Sequence, residues 1–215
     1  MSLKLYGAPG SCALVALWAL ENAGANYKLI SLNLAAGDQR SPAYLAINPH
    51  GRVPALAVDG GTITEVNAVV AYLNARFPDA GILPSHDPLL LGQTMELLCW
   101  FSSTIHIHVA QCLRSERFTD DAEVQERLKA GGRQRLALAL AELEERVERS
   151  GTFLIADRLS AADIFSVVAW RWAQKIGIDC SSLAHWAKKV QRDMARPDVA
   201  RALERESSGI TVSGA

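Results

Sequence analysis

The chain has 215 residues, with 22 Lys and Arg against 23 Asp and Glu, a formal charge of −1 and a pI near 6.5. Charges of both signs are mixed without like-charge runs, which excludes the electrostatic footprint of a nucleic-acid or anionic-membrane binder. The longest unbroken apolar stretch, Cys12 to Leu20, is far shorter than the roughly 18 residues of a membrane span, and "MSLKLYG" lacks a signal-peptide pattern, so a cytoplasmic protein is expected.

In chain order, "LKLY" reads as a strand, Ser11 to Ala23 as a helix closed by Gly24, and "NYKLISLNL" as a strand with period-two apolar positions. A polar, loosely structured connection, "AAGDQRSPAYLAINPHG", follows. "RVPALAV" and "TIT", joined by "DGG", predict an antiparallel hairpin. Glu65 to Arg76 is a helix that Pro78 stops. The order is that of a small mixed sheet with helices on its faces.

The Gly, Pro and Asp of "DAGILPSHDP" mark a linker, set at 81–87, between a first domain at 1–80 and a second at 88–215. Beyond it every pattern is helical: Leu89 to Arg114, Val124 to Arg149 with Leu136, Leu140, Leu143 and Val147 on one stripe, Ser160 to Lys175, and Leu183 to Met194. The tail "ESSGITVSGA" reads as a mobile end or a surface strap. In "DRLSAADIF", Ser160 and Asp163 have capping-box spacing, which accounts for Asp163 without a catalytic role.

Cys12, Cys99, Cys112 and Cys180 are scattered and read as separate reduced thiols. His106 and His108 stand two residues apart on a helical pattern, about 200° of rotation, and cannot chelate one ion. No metal is expected.

Three stretches carry the chemistry. The turn at the start of the first helix crowds Tyr6, Ser11 and Cys12. In "NPHGRVPAL" a cis Val53-Pro54 bond is expected, leaving the N–H and C=O of Val53 free of neighbouring strands and open to an added peptide. In "TEVNAVVAYL", Glu65 stands at a helix start, either as a cap or as the receiver of a ligand ammonium beside N–H groups that hold a ligand carboxylate. The combination suits a small zwitterionic peptide.

"NPHGRVPAL", "TEVNAVVAYL" and "LSAADI", in this order and at these separations, resemble the cytosolic glutathione transferases, nearest to the bacterial beta class. The resemblance covers Leu3 to about Arg205. It implies an α/β thioredoxin-like first domain (β-α-β-α-β-β-α) followed by an all-α domain, and glutathione as co-substrate with no metal. Val53 would pair with the cysteinyl backbone, Glu65 and the Val66 backbone would take the γ-glutamyl end, and Arg52, Pro54 and Asn67 would complete that side. Most of the family has serine where this chain has Val66, so weaker glutathione binding is expected.

For the sulfur, Ser11 matches the serine-type classes and Cys12 the beta class, and both stand where a helix dipole would stabilise an anion and lower a cysteine pKa. Tyr6 reads as packing. His106 matches the beta-class histidine that points at the sulfur, which tilts the choice toward Cys12 with Ser11 its close rival; regular helical spacing puts His106 on a stripe with Met95, Cys99 and Ser102 or Ser103. Trp100, Ser103, Arg114 and Trp172 are the implied lining of an electrophile pocket between the domains. The activity implied is addition of the glutathione thiolate to small hydrophobic electrophiles in detoxification, or disulfide and peroxide reduction through Cys12, by a homodimer. A non-catalytic interaction module of the same fold is the alternative. An isomerase of the zeta type is a weak third reading, because that class's serine-rich turn and adjacent Trp-Arg are missing.

Overall fold

The computed structural model describes residues 3–208. The chain forms β1 (Leu3–Gly7), α1 (Ala13–Asn22), β2 (Tyr27–Ser31), α2 (Pro42–Leu45), β3 (Ala55–Val58), β4 (Gly61–Thr64) and α3 (Val66–Arg76). Then come α4 (Pro88–Trp100), α5 (His106–Leu113), α6 (Ala122–Ser150), α7 (Ala161–Ile176), α8 (Ala184–Met194) and α9 (Pro197–Ser208). No helix among the described residues is long and apolar enough to cross a membrane.

The sheet has the order β2-β1-β3-β4. β1 and β2 run parallel, Leu3 opposite Tyr27 and Gly7 opposite Ser31, as a crossover through α1 requires. β3 pairs antiparallel with β1 and with β4, where Val58 faces Gly61 across the "DGG" hairpin. Ala13 to Leu20 are all buried, so α1 has no solvent side. It packs on both α3 and α9.

The sequence pattern did not mark α9. This last helix belongs to the compact unit of the sheet, which comprises the chain up to Ser85 and from Ala195 onward. Packing therefore divides the molecule differently from composition, because α9 docks by contacts with α1 that no local pattern encodes. Trp18 Nε1 donates to Asp198 at 2.9 Å, and Arg201 and Arg205 approach the Glu21 carboxylate at 3.6 and 3.4 Å. The remainder of the predicted tail, from Gly209 on, lies outside the described residues.

The second unit, His86–Met194, is helical. α5 and α6 approach so closely that a Cβ on Gly132 would sit 2.8 Å from Gln111 Cβ, and glycine is required there. Leu136, Leu140, Leu143 and Val147 form the buried stripe of α6. Asp163 caps α7 in a capping box and also accepts from Leu154 N at 2.9 Å. Lys189, itself buried, reaches Asp163 at 2.7 Å and pairs with the buried Asp193.

Candidate functional site

β1 ends at Gly7, and the next five residues turn the chain into α1. Gly10 makes this possible by adopting φ +74°, which a residue with a Cβ takes only under strain. The Ser11 N–H and hydroxyl both donate to Ala8 O, at 3.1 and 2.7 Å. Gly10 N donates to the carboxylate of the buried Glu206 on α9 at 3.1 Å, so the turn is anchored from 196 residues away.

Cys12 is 4% exposed, and its thiol donates to Val53 O at 3.8 Å. Burial pushes its pKa up to about 12; the nearby Glu65 carboxylate adds to the rise, and the residue's own backbone amide opposes it. The expectation that the helix start lowers this pKa is therefore corrected, since desolvation of a thiolate here outweighs the dipole. Tyr6 lies on Tyr44 with ring centroids 5.6 Å apart, in an apolar cluster with Ile30, Leu32 and Ala55, which is the packing role expected of it.

The loop before β3 is fixed by polar groups that sequence reasoning passed over. Tyr44 Oη and Asn48 Nδ2 both donate to Arg52 O, at 2.6 and 2.7 Å. Asn48 Oδ1 accepts from His50 N at 3.1 Å. Gly51, at φ +60°, passes so close that a Cβ would stand 3.0 Å from Gln39 O. Asn48 in "NPHG" is the one readable signal, as a turn-forming Asn followed by Pro and Gly; Tyr44 carries none.

The Val53-Pro54 bond is cis, and Val53 lies outside the ladder, which begins at Ala55. Its carbonyl is engaged by the Cys12 thiol rather than open on both sides. The Arg52 side chain is exposed.

Glu65 is the N-cap of α3 and makes no side-chain cap bond, so the plain capping alternative is not realised. Its backbone sits at φ 65°, ψ 121°, the one positive φ on a non-glycine residue among those described. Such a conformation costs on the order of 1–3 kcal/mol and concentrates at ligand clamps. Val66 beside it is 5% exposed and Asn67 half-buried. Cys12 and Glu65 are close enough to interact electrostatically.

In the second unit, α4 and α5 are joined by a π-turn, Phe101–Ile105. A π-turn holds one residue more than an α-turn and rotates all that follows. The regular spacing that put His106 in line with Cys99 is therefore broken. His106 lies instead against Trp172, with ring centroids 4.5 Å apart and planes 32° apart. Trp100 meets Phe101 edge-on at 5.4 Å. Ser103 is exposed and donates back to Cys99 O at 2.8 Å, and Arg114 Nη1 donates to Leu113 O at 2.7 Å. Of these residues, His106 and Trp172 are brought together; Ser103 and Arg114 bond locally. His108 turns to Gln111 Oε1 at 3.1 Å. Among the described residues no group of three His, Cys, Asp or Glu could hold a metal ion.

Residues 1–75 match the family model "Glutathione S-transferase, N-terminal domain", and residues 101–197 match its C-terminal domain. Glutathione S-transferase GstA of Escherichia coli O157:H7 is 29% identical over 95% of this chain and 98% of its own. Maleylacetoacetate isomerase of Pseudomonas aeruginosa is 34% identical over 74% of this chain and 76% of its own. A glutathione transferase homolog from Sulfitobacter, solved with bound glutathione, superposes with a TM-score of 0.89 at 30% identity, covering 95% of this chain and 98% of that one. With both domain models matched in order and relatives aligned along nearly the whole length, the chain belongs to the glutathione S-transferase family.

Proposed function

We propose that this protein binds glutathione across the end of β1, the Val53 peptide and the start of α3, and adds its thiolate to small hydrophobic electrophiles. The observation that carries the reading is Glu65, held in a strained backbone conformation with its carboxylate unused as a cap. Val53 offers backbone outside the ladder for the cysteinyl peptide, with Arg52, Pro54 and Asn67 beside it. Val66 contributes only its backbone N–H. The Sulfitobacter relative, solved with glutathione, supports the same ligand.

The arrangement favours Ser11 over Cys12 as the donor to the sulfur. Ser11 is half-exposed, and if its hydroxyl swings away from Ala8 O, that carbonyl keeps the Ser11 N–H. Cys12 is buried and protonated well above neutrality, which starves disulfide exchange of thiolate. Its thiol serves to hold Val53. The electrophile side is assigned to the second domain, at 88–215 beyond the 81–87 linker, with His106 as its polar group, Trp172 behind His106, and Trp100, Ser103 and Arg114 as further lining implied by the family resemblance. A cytoplasmic homodimer is part of this reading, supported by family membership.

Conjugation of a chloronitrobenzene test electrophile by the parent, Ser11→Ala and Cys12→Ala proteins tests it. Ser11→Ala should lower kcat/KM by about 10- to 100-fold through loss of a hydrogen bond to a charged sulfur, and Cys12→Ala by less than about threefold. Unchanged turnover in both variants overturns the assignment. A parent protein whose melting temperature does not rise with glutathione is instead a non-catalytic module of this fold.

A further inference from the structure

The helical run from Pro88 to Leu113 changes pitch in its middle. The π-turn at Phe101–Ile105 is closed by the His106 N–H donating to Phe101 O. In α geometry, residues five apart diverge by roughly 140°, so Phe101 and His106 would face different neighbours. The wide turn carries them round toward one side, and both meet α7. Phe101 stacks on Phe165 at 5.0 Å with planes 18° apart, and His106 lies over Trp172 at 4.5 Å. Phe165 and Trp172 are seven residues apart, two turns on one face of α7, and touch edge-on at 6.1 Å.

Trp172 is 5% exposed, too enclosed to present a face to a ligand, whereas His106 keeps partial exposure. The imidazole is one of the groups that enclose the indole, 4.5 Å away with planes 32° apart. Insertions of this kind concentrate at functional sites because they weaken the regular ladder and persist only where the displaced residue matters.

We propose that Trp172 is a positioning residue for His106: the π-turn sets where the imidazole stands, and the indole face fixes its plane. This rests on the reading of His106 as a participant in the conjugation. Trp172 then acts on the reaction only through His106, and the pair behaves as one unit.

The test is a double-substitution cycle on the full chain, with kcat and KM for both substrates measured in the parent, His106→Gln, Trp172→Leu and the double variant. Melting temperatures and the imidazole proton shifts of His106 are recorded alongside. His106→Gln should lower kcat about tenfold with KM little changed. Trp172→Leu should lower kcat by a similar factor and remove the upfield shift that an indole face imposes on the imidazole protons, while Trp172→Phe keeps both the shift and most of the rate. The double variant should be no slower than His106→Gln alone. Multiplicative losses in the double variant, or a kcat in Trp172→Leu equal to the parent's, overturn the positioning role. So does a fall in kcat that merely tracks the melting temperature. If the parent conjugates and His106→Gln is unimpaired, the reading of His106 itself fails and takes the positioning role with it.

Discussion

Cys12 shows how a single side chain's chemistry is set by where it is buried. The folded thiol holds its proton up to about pH 12, against an ordinary value of 9.0. Folding therefore gains from this group below pH 9 and loses that gain as pH rises toward 12. Cys12→Ala should flatten the alkaline limb of the stability curve by up to about 1.4 kcal/mol per pH unit between pH 9 and 11, read from urea midpoints. Parallel curves for parent and variant would contradict a buried neutral thiol. Tyr44, raised to about 12 by burial, acts in the same direction in both proteins and cancels from the comparison. Val66 makes the opposite kind of test, a gain. Val66→Ser restores a hydroxyl beside the Glu65 peptide, and a charge-assisted hydrogen bond of about 1.5–3 kcal/mol should tighten glutathione binding roughly tenfold or more, measured by calorimetry. Equal affinities would show that Asn67 or the backbone already fills that need.

At the scale of elements, the patterns that repeat were readable and the single interruptions were not. The α6 stripe, the "DGG" hairpin and the α7 capping box all follow from spacing that local rules reward. The π-turn at Phe101–Ile105 has no such rule: "FSSTI" suits an ordinary helix, and the wide turn accompanies the contacts of Phe101 with Phe165 and of His106 with Trp172. Lys189 was equally unremarkable in sequence, yet it joins two fully buried carboxylates, Asp163 at the start of α7 and Asp193 on its own helix. Burial, opposed by the charge and hydrogen bond of Lys189, raises the Asp193 pKa. Lys189→Ala leaves the buried Asp163 without its lysine partner and Asp193 with Arg192 at 3.4 Å, and should cost about 3–5 kcal/mol of second-unit stability at neutral pH. Because a stranded carboxyl takes up a proton more readily folded than unfolded, the deficit should shrink as pH falls. A deficit below about 1 kcal/mol in urea titrations at pH 7.5, or one that grows toward pH 5.5, would show that water already compensates these charges.

Across the whole molecule, the chain leaves its first unit at Ser85 and returns to it at Ala195. α9 then closes the outer side of α1, where Trp18 is 1% exposed and bonded to Asp198, and places Glu206 under Gly10. A chain ending at Ala195 should expose Trp18, seen as a red-shifted and more quenchable fluorescence, and lose the support of the Ser11 turn; unchanged emission would mean that α1 is covered without α9. Local chemistry in the sequence determined the strands, most helices, the turn glycines and the nucleophile-rich segment, because periodicity, capping and φ preference act within a few residues. Two further stretches, "NPHGRVPAL" and "TEVNAVVAYL", carried the motifs by which Val53 and Glu65 were picked out. Only the tertiary structure decided that Cys12 is buried and neutral, that Glu206 anchors the turn from the far end of the chain, and that His106 faces Trp172. Desolvation, long-range hydrogen bonds and helix phase depend on neighbours distant in sequence, and no local pattern records them.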